Sequence, residues 1–201
     1  DPYMAFEKDF MRFMLSDGAG AVLVQDHPEG ICPLKIEWVD MTSYANELPT
    51  CMFMASELQE DGRLKSWKEF SPDEIKERAV LVGKQDIRQL KKYIIKYWVD
   101  HIETILAKHH VKAEEIDYVI PHVSSMFFYE KLNDEIAARN IALTKEKWFT
   151  NLTSVGNIGS AAIYVGLEEL IRTKEIKRGN KILLLVPESG RFSYGTVLLS
   201  V

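Results

Sequence analysis

The chain has 201 residues, of which 46% are hydrophobic and 27% charged, with a formal net charge of −5. This is enough for one domain with a substantial core, or for most of a larger one, at an ordinary globular balance. The acidic excess argues against a nucleic-acid partner, and no segment approaches the ~18 apolar residues that a membrane helix needs.

The opening DPYMAFEKDF is too acidic and too broken for a secretory signal. It lacks a starting Met, so a piece of a longer, cytoplasmic protein is expected. From Phe10 to Gln25 apolar runs flank Ser16-Asp17-Gly18-Ala19-Gly20. That pattern predicts a strand, a tight small-residue turn and a second buried strand. From Pro28 to about Ser66 the sequence is irregular, with two candidate strands around Lys35–Val39 and Cys51–Ala55. Ser71-Pro72-Asp73-Glu74 has the form of a helix start, with a Ser cap, Pro in the first turn and acids near the positive end of the dipole. That helix is expected to end near Gly83.

A long helix follows from about Lys84 to His110. Ile87, Leu90, Ile94, Tyr97, Trp98, Ile102, Ile105 and Leu106 recur at three- and four-residue steps and form one apolar stripe. After a short acidic turn, Tyr118-Val119-Ile120 reads as a buried strand stopped by Pro121. Ser125–Arg139 reads as a helix, Lys147–Leu152 as a strand, and Ala161–Thr173 as an alanine-rich helix. Lys181–Val186 (KILLLV) is a strand buried on both faces, and Tyr194–Val201 is the last strand. The alternation implies an α/β fold with helices packed on a mixed sheet.

Chemistry concentrates in three stretches. His122 follows a buried strand and precedes a helix, a position at a sheet rim where ligands often bind. Taken alone, a hydrogen-bonded structural histidine is the plainer reading. In VGNIGSAA, Gly156 and Gly159 give backbone freedom around Asn157, whose amide can donate to a substrate oxygen; a helix-capping loop is the plainer reading. In PESGRFSYG, Gly190 permits close backbone approach to a ligand, or simply a hairpin turn. The two cysteines, Cys32 and Cys51, match no CxxC or Cys/His metal spacing and read as reduced thiols. No metal is expected. Asn151-Leu152-Thr153 matches a glycosylation sequon and is read as coincidence.

Taken together, PHVSS, GNIGSAA and SGRFSYG occur in the order of the PHQAN-like, GNTSAAS-like and GGG-x-T-x-G motifs of β-ketoacyl-acyl-carrier-protein synthase III enzymes, and Asp17–Ala21 repeats that family's DGAGA signature. The chain resembles the C-terminal part of that family, within the thiolase-like superfamily. The resemblance implies an α-β-α-β-α sandwich. Residues 1–27 would be the last strands of its first half, 28–83 an intervening segment, and 84–201 the complete C-terminal half.

The resemblance further implies an acyltransferase that performs decarboxylative Claisen condensation. Its substrates would be acyl-coenzyme A and malonyl-acyl carrier protein, with no other cofactor, and it would act as a homodimer in fatty-acid or specialised lipid and polyketide synthesis. His122 and Asn157 would be the catalytic donors, and Gly190 the backbone oxyanion donor. The nucleophilic Cys would lie outside this chain, because Cys32 and Cys51 both follow the DGAGA region in irregular sequence. The fragment alone would then be inactive.

Several positions depart from the family pattern. Val123, Ser124 and Ser125 follow the histidine, Phe127 replaces a basic residue, and Ser189 and Arg191 replace glycines. These changes point to a specialised product. Two other readings are a non-catalytic thiolase-fold partner that binds acyl chains or a catalytic ketosynthase, and a relative with other acyl chemistry such as hydroxymethylglutaryl-coenzyme A synthesis.

Overall fold

The computed structural model describes residues 13–27 and 32–201. In chain order its strands are β1 (Lys35–Ser43), β2 (Met52–Phe53), β3 (Ser56–Leu58), β4 (Leu64–Ser66), β5 (Lys84–Gln85), β6 (Tyr118–Pro121), β7 (Lys181–Glu188) and β8 (Ser193–Ser200). The helices are α1 (Pro72–Glu77), α2 (Ile87–Lys108), α3 (Met126–Ala138), α4 (Leu152–Val155) and α5 (Ala162–Thr173). The main sheet has the order β1-β8-β7-β6. β6 runs parallel to β7, and β8 runs antiparallel to both of its neighbours. A parallel pair requires a crossover, and the β6-to-β7 connection carries α3, α4 and α5.

The sequence KILLLV occupies a central strand, which explains why it lacks polar alternation. Leu183 and Leu185 belong to one buried cluster with Leu90, Ile94 and Trp98 of α2 and Leu132 and Ile136 of α3. Ile182 and Leu184 belong to the other, with Leu170 of α5 and Ile120 of β6. A one-residue slip in β7 would exchange these two sets. On the α5 face, Gly166 lets the helix approach the sheet closely. A Cβ placed there would lie 3.3 Å from Ile120 Cγ2.

The long helix forms where its apolar stripe predicts, but its start is sharper. Asp86 caps it by accepting the N–H groups of Arg88 (2.9 Å) and Gln89 (3.1 Å), and Lys84–Gln85 pair with Met52–Phe53 as a short strand instead. At the far end Arg139 donates to Asp100 (2.6 Å) and Glu103 (2.8 Å), tying α3 to α2. The helix expected from Ser71 to Gly83 stops at Glu77; soon after, Ala79 takes a positive φ of 48°, which breaks the helical path. No helix among the described residues is long and apolar enough to cross a membrane.

Three other expectations are corrected. The strand around Lys35 extends to Ser43 and pairs with β8 along its length, so this part of the intervening segment joins the sheet of the C-terminal half. The strand expected over Lys147–Leu152 shrinks to one parallel bridge between Val119 and Trp148. Thr150 Oγ1 there accepts the N–H of Leu152 (3.2 Å) and Asn151 O accepts from Val155 (2.9 Å), so local turn bonds displace the ladder. The strand-turn-strand reading of residues 10–25 does not hold over 15–25, which are exposed and neither helical nor extended in a sheet. None of the described strands offers them a partner edge. Those parts of the sequence reading that fall on residues 1–12 and 28–31 lie outside the described residues.

His101 is fully buried on α2, with Nε2 2.9 Å from Thr196 Oγ1 on β8. Burial pulls its pKa down to about 4, so the folded imidazole is neutral while the unfolded one titrates near 6.5. The folded-state pKa is the lower one. Stability is therefore full above the unfolded value and is lost as pH falls from about 6.5 towards 4. Urea unfolding across that window should show wild type losing up to about 1.4 kcal/mol per pH unit more than His101→Gln. Parallel curves for the two proteins would contradict this assignment.

Candidate active site

β6 ends because Pro121 has no N–H to continue a ladder. The next residue is held all the same: the backbone N–H of His122 donates to Leu185 O at 2.8 Å. This bond places the imidazole just past the carboxyl end of a parallel strand, where open α/β sheets bind ligands. A shallow, open cleft lies here. His122, Thr150, Asn151 and Gly156 give it polar and backbone edges, and Ile120, Val123, Phe149, Leu152 and Ile163 give it apolar walls.

His122 is half-buried, and burial pushes its pKa below the ordinary histidine range. A neutral imidazole follows, with one N–H to donate. Asn151 at the cleft edge is itself fixed, since its Nδ2 donates to Glu169 Oε2 at 2.7 Å.

Asn157 is buried, in a turn that needs Gly156 at φ 83° and Gly159 at φ 59°. Both of its oxygens are anchored: Oδ1 accepts from the Gly159 N–H (3.1 Å), and the carbonyl accepts from the Ser16 N–H (2.8 Å). Its Nδ2 hydrogens have no partner among the described residues. The structure thus brings His122 and the Gly156–Asn157 turn to one end of the sheet. Gly156 lines the cleft with His122; Asn157 follows one peptide later and is not itself a lining residue.

Gly190 lies elsewhere. The β7–β8 hairpin runs three residues past Leu185, to Glu188, before it turns. Gly190 sits in that turn, buried, with its carbonyl accepting the N–H of Cys51 at 2.9 Å. It does not line the cleft, and its own N–H is donated to the carboxylate of Glu188. Glu188 is a residue the motif comparison passed over. Its signal in the sequence is the spacing Glu-x-Gly, which lets a carboxylate fold back onto the next turn.

Cys51 packs at the start of α2, closer to a helix terminus than its sequence context suggested. Its Sγ donates to Asp86 O at 3.3 Å, and the first amides of α2 are already taken by the Asp86 carboxylate. That arrangement suits a structural thiol.

Residues 106–201 match the family described as 3-oxoacyl-[acyl-carrier-protein] synthase III, C terminal. The chain is 29% identical over 112 residues to the β-ketoacyl-[acyl-carrier-protein] synthase III of Clostridium acetobutylicum, covering 56% of this chain and 33% of that protein. It is 26% identical over 188 residues to the enzyme of that name from Clostridium perfringens strain SM101, covering 94% of this chain and 52% of the relative. The crystal structure of 3-oxoacyl-[acyl-carrier-protein] synthase III from Aquifex aeolicus superposes with a TM-score of 0.54 at 25% identity, over 83% of this chain and 44% of that one. The chain thus spans about half or less of the length of the relatives it matches. With its mixed α/β sheet, the chain is similar to the C-terminal part of β-ketoacyl-[acyl-carrier-protein] synthase III proteins in sequence and in fold.

Proposed function

We propose that the protein containing this chain is a condensing enzyme that joins an acyl group to a malonyl thioester with loss of carbon dioxide. The observation that carries this reading is the neutral, half-buried His122 at the carboxyl end of β6, on a cleft it shares with the Gly156–Asn157 turn. In the reaction the C–C bond to the malonyl carboxylate breaks and carbon dioxide leaves. The electron pair moves onto the thioester as an enolate. Charge develops on the thioester oxygen, and two neutral donors, the His122 N–H and the Asn157 amide, stabilise it without giving up a proton.

The enolate carbon then attacks the carbonyl of an acyl-cysteine, and the cysteine sulfur leaves as a thiolate. In this proposal that cysteine belongs to a part of the protein outside this chain, since Cys51 Sγ donates to Asp86 O and Cys32 matches no family nucleophile position. The substrates in this proposal are acyl-coenzyme A and malonyl-acyl carrier protein, and the working unit is a homodimer. The relatives' names support the substrate class. Phe127, half exposed where the family pattern has a basic residue, supports a specialised donor or product over the general one.

In the protein that contains this chain, His122→Ala or Asn157→Ala should lower carbon dioxide release from a malonyl thioester by roughly 10²–10³-fold. Cys51→Ser should still form the acyl-enzyme. Retention of full decarboxylase activity by the His122 variant would reduce the likeness to one of fold. The pH dependence has a definite sign as well. Because burial lowers the His122 pKa, the donor form persists below the ordinary value of about 6.5. A proton NMR titration should give His122 a midpoint below the ordinary histidine value of about 6.5; a midpoint above it would contradict the neutral-donor role.

A further inference from the structure

Residues 16–20 lie outside every described sheet, yet they are held against the turn that carries Asn157. The Ser16 N–H donates to Asn157 O at 2.8 Å. The Ser16 side chain packs on Gly156, where an added Cβ would collide with Ser16 Oγ. Two residues further on, a Cβ at Gly18 would stand 2.8 Å from Ile158 Cβ, and after two more a Cβ at Gly20 would stand 2.6 Å from Tyr164 Cβ. Alternate residues thus meet the Asn157 turn and the start of α5, the two-residue step of an extended chain laid along them.

Gly18 and Gly20 do not have positive φ, so glycine is needed there for close approach and not for backbone freedom. Both obstructing atoms are Cβ atoms, which no rotamer change moves aside. A side chain at either position would therefore push the two segments apart. The contact reaches the candidate site directly. Gly156 lines the cleft with His122, and the Asn157 carbonyl that Ser16 holds belongs to the residue whose amide is the second donor. Within the turn, Gly159 N–H fixes the amide's oxygen end at 3.1 Å. The position of the turn as a whole is set from the strap side.

We infer that Ser16, Gly18 and Gly20 are positioning residues, forming a strap that sets the Asn157 turn and so aims the Asn157 amide at the reacting thioester. The contact itself stands on the geometry of the two segments. Its part in catalysis rests on the condensing function proposed above. A shift of about 1 Å in a positioned group is enough to lower a rate roughly 10²-fold.

The test uses the protein that contains this chain, with Gly18→Ala and Ser16→Pro, each alone and combined with Asn157→Ala. Ser16→Pro removes the N–H donor without adding a Cβ at Gly18, so it carries the test if Gly18→Ala fails to fold. Two readouts are taken: hydrogen–deuterium exchange of peptides covering residues 13–27 and 152–164, and steady-state carbon dioxide release from a malonyl thioester. Each strap variant should speed exchange in both peptides. Each should lower kcat about tenfold or more with KM changed less than about twofold, and should lower it little further once Asn157 is alanine. Unchanged exchange in residues 152–164 would overturn the strap. An equal fall in kcat with and without the Asn157 amide would overturn the positioning role and leave only a structural one. Faster exchange in the strap variants, alongside an Asn157→Ala protein with full activity, would keep the strap but overturn its part in catalysis together with the proposed role of Asn157.

Discussion

The central hairpin sets the position of everything else in this fold. β7 is buried on both faces, paired with β6 on one side and β8 on the other, and each of its leucines is committed to one of two hydrophobic clusters. That commitment fixes the register, because a slip of one residue would turn both clusters inside out. The register in turn fixes Leu185 O, and the His122 N–H bonds to it. The residue after β6 is thereby tied to a strand that is buried on both faces. The same hairpin, continued three residues further, carries the Gly190 turn away from His122.

Most of the C-terminal half was legible in the sequence because its signals are local and strong. The stripe from Ile87 to Leu106 has helical period, KILLLV has the uniform apolarity of a central strand, and Pro121 marks where β6 must stop. Legibility failed where the outcome depended on a distant partner. Lys147–Leu152 has strand-like residues, but Thr150 and Asn151 bond locally and leave a single bridge. Residues 35–43 have an ordinary strand pattern, and only the exposed edge of β8 makes them part of the main sheet. The apolar residues of 15–25 predicted strands that no described edge receives.

The site shows the same division. Motif order singled out His122 and Asn157; in the structure, burial lowers the His122 pKa, and the bond from Gly159 N–H fixes which end of the Asn157 amide is the oxygen. Gly190 was identifiable as a position but not as a role. Its family-like expectation assumed a free N–H, and the Glu188 carboxylate two residues earlier takes that N–H. Motif matching compares residue types at fixed positions, so it missed a neighbour that changes what the matched atom is bonded to.

The central claim is that His122 and Asn157 act together on one thioester oxygen. Isotope-edited infrared spectroscopy addresses it directly, using a carbonyl-¹³C malonyl thioester analogue that cannot lose carbon dioxide, bound to the protein that contains this chain. Two donors aimed at the oxygen should move the thioester carbonyl band to lower frequency than in water. His122→Ala and Asn157→Ala should each return part of that shift, and the double variant all of it. A band at its solution frequency in wild type, or one unmoved by either substitution, would contradict the account.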